Sequence, residues 1–251
     1  MKITDYSKIA DKYDGNRIRQ DLKTDETLLK FLKDSKNQDF NILDLGCGTG
    51  NYLKVHTELL KSYNINWYGL DLSEDMLRVA KQKVPEVKFY NGSASVLPYI
   101  NDKFDYIVNN FAFHHFDKKL KALKEVTRCL KSNGVFRLKD IDPYKMPGWW
   151  VYKYFPSTYQ IDTDRFWESN RILTILKDLG FKVEINVEQN ECETELEQII
   201  QDTENRDISE LTLITEEEYI KGLETLKIIL KEKGTKTITD ELALVTITGK
   251  K

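Results

Sequence analysis

The chain has 251 residues, of which 40% are hydrophobic, 11% aromatic and 31% charged, and its formal net charge is −3. This length suits one α/β domain that carries an insertion or a small cap. No apolar run approaches the ~18 residues that a membrane span needs, and the first residues lack the apolar core of a signal peptide. We therefore expect a cytoplasmic protein with no membrane partner.

Hydrophobic periodicity predicts helices and strands in alternation along most of the chain. The predicted helices are 18–33, 51–62, and the segments that follow the candidate N-caps Ser73, Asp117, Asp164 and Thr215, the last two ending at Gly180 and Gly234. The predicted strands are 40–45, 67–72, 87–90, 104–108, 135–141, 181–187 and 242–248. This rhythm is typical of a mainly parallel sheet covered by helices on both faces.

Two stretches interrupt the alternation and are predicted to be insertions. Residues 142–163 are rich in proline and aromatic side chains, and residues 188–240 are acidic and then helical. We predict a single domain over residues 1–251, with a helical cap at 1–35 and a substrate lid formed by the two insertions.

Charge and metal-ligand types limit the possible partners. Residues 188–218 hold twelve acidic residues and one basic residue, Arg206, which predicts either a solvated surface or a rim that favours a cationic or neutral substrate. Lysines elsewhere are scattered, whereas nucleic acid binding needs clustered Lys and Arg, so no nucleic-acid partner is expected.

The three cysteines and three histidines show no metal-ligand or disulfide spacing, and no metal is expected.

A glycine-rich turn follows the first predicted strand directly. Gly46, Gly48 and Gly50 lie in the segment 43–51, where missing side chains would let a ligand approach the backbone. A dinucleotide fingerprint would need glycine at position 51, which is Asn51, and the Gly-Lys-Ser/Thr of a P-loop is absent. The spacing therefore disfavours an NAD-dependent dehydrogenase and a P-loop enzyme.

An acidic residue ends the second predicted strand. Asp71 lies 21 positions beyond Gly50, the spacing of one strand–helix–strand unit, and its carboxylate could accept hydrogen bonds from both hydroxyls of a ribose. The alternative is that Asp71 only stabilises the start of the following helix.

These two motifs, together with residues 91–98, 104–116 and 130–140, resemble the class I S-adenosylmethionine-dependent methyltransferases, in the small-molecule (type 11/25-like) branch. The resemblance covers about residues 40–141, and the segment 6–14 resembles the entry helix of the family. It implies a Rossmann-like methyltransferase fold, a seven-stranded, mainly parallel sheet with an antiparallel last strand and a cap from the late insertions. It also implies S-adenosyl-L-methionine as cofactor, S-adenosyl-L-homocysteine as product, and a monomer or homodimer.

The resemblance also implies roles for single positions. Gly46 and Gly48 would lie against the methionine part of the cofactor, and Asp44 would orient the loop or meet the cofactor amino group. Asp71 would hold the ribose, and the backbone carbonyl of Asn109 would meet the cofactor. Ser93 stands where the family often has Asp, which weakens the expected contact to the adenine amino group. The full predicted set is Tyr13, Arg17, Asp44, Gly46, Cys47, Gly48, Asp71, Leu72, Met76, Ser93, Ala94 and Asn109.

The chemistry is expected at the ends of strands four and five. His114 and His115 follow strand four, and each could be a general base or only a structural group. Asp140 and Asp142 end strand five, and each could be an alternative base, a substrate anchor or only a loop carboxylate. Trp149, Trp150 and Tyr154 are predicted to shape a substrate pocket or to form a small core of their own. None of these residue types identifies the methyl acceptor or its reacting atom.

The leading hypothesis is methyl transfer to a small molecule by in-line displacement, which mainly requires alignment. A base is needed only if the acceptor carries a proton of high pKa. A tRNA or protein methyltransferase is an alternative, disfavoured by the missing Asn-Pro-Pro-Tyr motif after strand four and by the missing basic stripe. A non-catalytic cofactor-binding protein is the other alternative, which an intact glycine turn does not exclude.

Overall fold

The computed structural model describes residues 24–206, 208–234 and 236–251. Its strands are β1 (Asp39–Leu45), β2 (Asn64–Asp71), β3 (Lys88–Asn91), β4 (Phe104–Asn110), β5 (Leu130–Ile141), β6 (Lys182–Glu195) and β7 (Thr237–Lys250). Its α-helices are α1 (Glu26–Asp34), α2 (Asn51–Leu59), α3 (Glu74–Lys83), α4 (Lys119–Cys129), α5 (Trp150–Tyr154), α6 (Ser157–Arg165), α7 (Ser169–Asp178), α8 (Leu196–Asn205) and α9 (Glu216–Lys233). Short 3₁₀ turns occupy Phe113–His115, Pro143–Lys145 and Ser209–Thr212.

The strands form one sheet in the order β3-β2-β1-β4-β5-β7-β6. Strands β1 to β5 pair in parallel. Between β5 and β7, the Asn133 N–H donates to the Lys251 carbonyl and the Asp142 N–H to the Ala243 carbonyl. Since one partner number rises as the other falls, this pair is antiparallel. The predicted seven-stranded, mainly parallel sheet with an antiparallel last strand is confirmed.

The central strands place the candidate site. β1 and β4 are buried along almost their whole length, as expected for parallel strands covered on both faces. The strand order reverses between β1 and β4, and ligands of open α/β sheets bind beyond the carboxyl ends of the strands at such a point. The loops that follow these two strands are the glycine turn and the segment with His114 and His115.

The described chain divides into two compact units. The sheet unit comprises residues 24–140, Ser169–Asn186 and Thr246–Lys251, and the insertion unit comprises Ile141–Glu168 and Val187–Val245. Each unit has an apolar cluster of its own. None of the helices in the described part of the chain has the length and apolarity that a membrane crossing requires.

Two of the predicted helix caps are confirmed and two are wrong. Side-chain oxygens of Ser73 and Thr215 each accept a hydrogen bond from the backbone N–H three residues on, at 3.3 Å. Asp117 caps nothing, because α4 begins after Lys118, which makes no side-chain cap hydrogen bond. Asp164 lies inside α6 and not before a helix.

The error at Asp164 has a physical cause in the insertion unit. α6 carries a buried ion pair between Arg165 and Asp162, at 2.9 Å, and Arg165 also pairs with Glu210. Buried charges need such partners, but Glu210 lies 45 positions away in the sequence. The charged residues of 157–165 therefore resemble a loop in sequence although they form a helix.

The last strands extend beyond their predicted limits. β5 begins at Leu130 instead of residue 135, β6 continues to Glu195, and β7 begins at Thr237. β6 lies at the edge of the sheet and exposes most of its side chains, so polar residues fill positions that would otherwise show an apolar alternation. α8 was also missed, since its buried Ile199 and Ile200 lie among acidic residues.

Candidate functional site

The turn after β1 has a backbone that only glycine adopts easily. Gly46, Gly48 and Gly50 have φ of +80°, +51° and +78°, in the left-handed region that other residues rarely enter. A Cβ on Gly46 would lie 2.6 Å from the Cβ of Ala112, whereas a Cβ on Gly48 would meet nothing within 4 Å. The turn is therefore closely packed at Gly46 and open at Gly48.

Asp71 ties the glycine turn to the end of β2. Its Oδ2 accepts a hydrogen bond from the Gly48 N–H at 2.8 Å, and its Oδ1 accepts one from the Ser73 N–H at 2.9 Å. Burial raises the pKa of Asp71, while hydrogen bonds from the Ser73 and Gly48 backbone oppose that shift. Each carboxylate oxygen has a second lone pair, so both can still accept a hydrogen bond from a ligand.

The residues after Asp71 offer an apolar surface. Leu72 is 72% exposed, which is unusual for leucine, and Met76 is buried in α3. The Nδ2 of Asn91 donates to the carbonyls of Asp71 and Leu72, at 3.2 and 2.9 Å. Sequence reasoning gave Asn91 no role, although an amide at the end of β3 opposite Asp71 could have indicated this support.

Ser93 and Ala94 follow β3. Ser93 is exposed and its hydroxyl lies 2.9 Å from the hydroxyl of Ser95, while Ala94 is buried. A hydroxyl that already has a partner is a weaker acceptor than the carboxylate it replaces in the family pattern. The recognition of an adenine amino group by Ser93 stays a prediction.

A second carboxyl, Asp44, is buried near the end of β1. Asp44 is 2% exposed, and burial together with the Asp71 carboxylate raises its pKa to about 8. Cys47, in the glycine turn, is also buried, and burial raises the pKa of its thiol. Cys47 is therefore an unreactive thiol, and its predicted contact with a cofactor would be one of packing.

The buried Asp44 predicts a pH-dependent stability. Its native pKa lies above its unfolded value, so the folded chain binds the extra proton and loses stability as pH rises from about 4 to about 8. We expect Asp44→Asn to remove this loss, which is at least about 1.4 kcal/mol, the equivalent of one pKa unit. Urea unfolding of both proteins at pH 5 and pH 8 measures it; a difference between them that does not grow with pH would contradict the assignment.

The segment after β4 brings a histidine and a carboxylate together. The Nδ1 of His114 lies 2.9 Å from an Asp140 oxygen, and both side chains are buried. The carboxylate accepts the Nδ1 proton, which orients the ring. His115 is partly buried, with its ring centroid 3.9 Å from that of His114. Lys119 donates through Nζ to the carbonyls of His114 and Phe116 and so holds the turn.

Four of the remaining candidates belong to the insertion unit. Asp142 caps the 3₁₀ turn by accepting from the Tyr144 N–H at 3.2 Å. Trp150 is 4% exposed and packs in the apolar cluster of that unit, against which Trp149 and Tyr154 also pack. The tryptophans thus contribute to a local core, and their contact with a substrate stays a prediction. Tyr13 and Arg17 lie outside the described residues.

The acidic run is partly neutralised within the insertion unit. Glu210 pairs with Arg165, Glu216 with Arg206, and Glu204 with Lys227. Glu210 is buried in its pair, whereas Glu204 and Glu216 stay at the surface, so the role of the acidic run as a solvated surface or a substrate rim stays a prediction.

Comparison with known proteins finds a family match within the sheet unit. Residues 43–138 match a family model described as "Methyltransferase domain". This match supports the class I S-adenosylmethionine-dependent methyltransferase family for these residues. The family predicted from the sequence is confirmed, its members are enzymes, and its cofactor is S-adenosylmethionine.

Three similar proteins show the extent of the match. An uncharacterized methyltransferase, YcgJ, of Bacillus subtilis is 34% identical over 55% of this chain and 54% of its own length. A demethylmenaquinone methyltransferase of Listeria welshimeri is 29% identical over 57% of this chain and 64% of its own length. This chain thus spans only part of the curated relatives it matches. A crystallised putative methyltransferase from an antibiotic biosynthesis pathway of Anabaena variabilis shares the fold, with a TM-score of 0.65, 22% identity, and coverage of 88% and 94% of the two chains.

Proposed function

We propose that this protein transfers a methyl group from S-adenosylmethionine to a small-molecule acceptor. The observation that carries the proposal is the open backbone at Gly48, whose N–H is bonded to Asp71. The glycine turn has no side chain at Gly48, and each Asp71 oxygen can accept one further hydrogen bond. This arrangement fits a ligand that contains a ribose. The exposed Leu72 beside it fits an adenine ring. The residues present therefore fit the cofactor of the family.

Each part of the cofactor has a proposed partner in the chain. Asp71 would accept hydrogen bonds from the ribose, Leu72 and Met76 would pack on the adenine, and Gly46 and Gly48 would admit the methionine part. Asp44, Cys47, Ser93, Ala94 and Asn109 complete the described set. When bound, the cofactor supplies a methyl group that is already activated by a positive sulfur.

The residues of the chain would align the acceptor with the methyl group and, for some acceptors, remove a proton from it. Alignment alone can lower a barrier by about 7–11 kcal/mol in ideal cases. Asp140 holds the His114 Nδ1 proton, which leaves Nε2 as the nitrogen that accepts a proton. We propose His114, with Asp140 behind it, as the base, and His115 as the alternative.

This assignment predicts a selective loss of turnover. Asp140→Asn should lower the rate of methyl transfer about 10- to 100-fold, the usual effect of removing the partner that orients a histidine. The affinity for S-adenosylhomocysteine should stay within about twofold, since Asp140 has no proposed contact with the cofactor. The pH–rate profile of methyl transfer measures the loss of turnover. Calorimetric titration of S-adenosylhomocysteine measures the affinity. A matching loss in Asp142→Asn alone would assign the base to Asp142 instead.

The acceptor is proposed to bind at residues of the insertion unit. Trp149, Trp150 and Tyr154 are proposed as acceptor-selecting residues, and the insertions 142–163 and 188–240 as a lid. The test is transfer of labelled methyl to a panel of metabolites, which should include demethylmenaquinone because one relative is named for it, with tRNA and protein as further arms. Labelled product from a small molecule, absent with Asp71→Ala, is expected. Label only in tRNA or protein would favour the macromolecular alternative, and binding without any transfer would favour a non-catalytic protein.

A further inference from the structure

We propose that the Asn109 side chain positions the cofactor: its amide N–H fixes the end of β1, and its Oδ1 accepts a hydrogen bond from the ammonium group of the bound cofactor. The inference rests on the proposed function and extends it. The family resemblance assigned only the backbone carbonyl of Asn109 to the cofactor, so the role of the side chain is new.

The first observation is the direction in which the amide lies. The Nδ2 of Asn109 donates to the Leu45 carbonyl at 2.5 Å, and the side chain is completely buried. Turning the amide over would set Oδ1 against that carbonyl, so the Leu45 oxygen decides which atom is the donor. Nδ2 also lies 3.5 Å from the position of a Cβ on Gly46. The amide therefore lies against the first glycine of the turn.

The second observation is the state of the other amide atom. Among the described residues, Oδ1 of Asn109 is buried without a hydrogen-bond partner. Such orphaned groups are rare and cost free energy comparable to a lost hydrogen bond. An acceptor kept in this state against a ligand-binding turn is explained if the ligand supplies the donor.

The third observation is the part of the cofactor that is proposed to lie at this position. The Asn109 amide lies against Gly46, and Gly46 is the residue proposed to admit the methionine part. The α-ammonium is the N–H donor of that part, whereas the ribose and adenine donors of S-adenosylhomocysteine belong to its other end.

The experiment compares the affinities of two ligands for two proteins, so that the effect of the variant on each ligand can be separated. The probes are S-adenosylhomocysteine and its deaminated analogue, in which hydrogen replaces the α-amino group, titrated calorimetrically into the wild-type chain and Asn109→Leu. In the wild type we expect the analogue to bind at least about tenfold more weakly, as for loss of a hydrogen bond to a charged group. In Asn109→Leu the two ligands should bind within about threefold of each other.

The outcomes separate this inference from the proposed function. An unchanged ratio of the two affinities in Asn109→Leu would overturn the role of Oδ1, and so would equal affinities in the wild type. Failure of the wild type to bind S-adenosylhomocysteine at all would instead overturn the proposed function. Since Asn109→Leu also removes the bond to Leu45 and could unfold the chain, Asn109→Ser is the second variant, with folding checked by circular dichroism. 5′-Methylthioadenosine, which lacks the whole amino-acid part, should bind both variants within about threefold of the wild type.

Discussion

Replacing Gly46 with alanine should unfold the glycine turn and abolish cofactor binding. Alanine at a φ of +80° costs about 1–2 kcal/mol, and the 2.6 Å approach of its Cβ to Ala112 adds about 1–3 kcal/mol of overpacking. Since domains of this kind are stable by only about 5–15 kcal/mol, the loss is large. Urea unfolding measures it, and titration of S-adenosylhomocysteine at low temperature measures the binding.

Gly48→Ala is the matched control for this prediction. Its φ of +51° imposes a similar backbone cost, but its Cβ would meet no protein atom within 4 Å. We therefore expect Gly48→Ala to lose only about 1–2 kcal/mol of stability, yet to lose at least about tenfold in affinity, because its methyl group would fill space meant for the ligand. Affinity equal to that of the wild type would show that the open space at Gly48 is not the binding cradle.

Asp71→Ala should lower the affinity for S-adenosylhomocysteine at least about 100-fold. Two hydrogen bonds to a charged carboxylate are worth about 3 kcal/mol or more, and their loss also frees the N–H of Gly48 that Asp71 holds. Competition with a fluorescent adenosine analogue, or calorimetric titration, measures the change.

Ser73→Ala distinguishes a ligand contact at Asp71 from local disorder. Ser73 caps α3 beside Asp71, and its loss should lower stability by about 1 kcal/mol. Its affinity for S-adenosylhomocysteine should stay within about threefold of the wild type. If Ser73→Ala weakens binding as much as Asp71→Ala, Asp71 acts by supporting the turn and not by holding the ribose.

Features that depend on short stretches of sequence could be predicted. The glycine spacing restricts the backbone through φ alone, and Asp71 follows at the distance of one strand–helix–strand unit. The alternation of strands and helices predicted the parallel pairing, whereas the order of the strands in the sheet was not predicted. Ser73 and Thr215 were correct caps because a cap is a contact between residues three apart.

Features that depend on distant partners could not be predicted. His114 and Asp140 are 26 positions apart, and nothing in either segment indicates that they pair. The hydrogen bond from the Asn109 side chain to the Leu45 carbonyl joins residues that are 64 positions apart. The helix over Ser157–Arg165 looked like a loop because the pairing of Arg165 with Glu210 is visible only in three dimensions.

Heat unfolding with added nucleotides measures directly whether the glycine turn selects S-adenosylhomocysteine over NAD. At a concentration 100 times its Kd, S-adenosylhomocysteine should stabilise the protein by about 2.7 kcal/mol, which raises the unfolding midpoint by roughly 5–10 °C for a chain of this size. NAD at the same concentration should leave the midpoint unchanged, since Asn51 stands where the dinucleotide fingerprint needs glycine. Stabilisation by NAD, or none by S-adenosylhomocysteine at millimolar concentration, would contradict the assignment of the glycine turn.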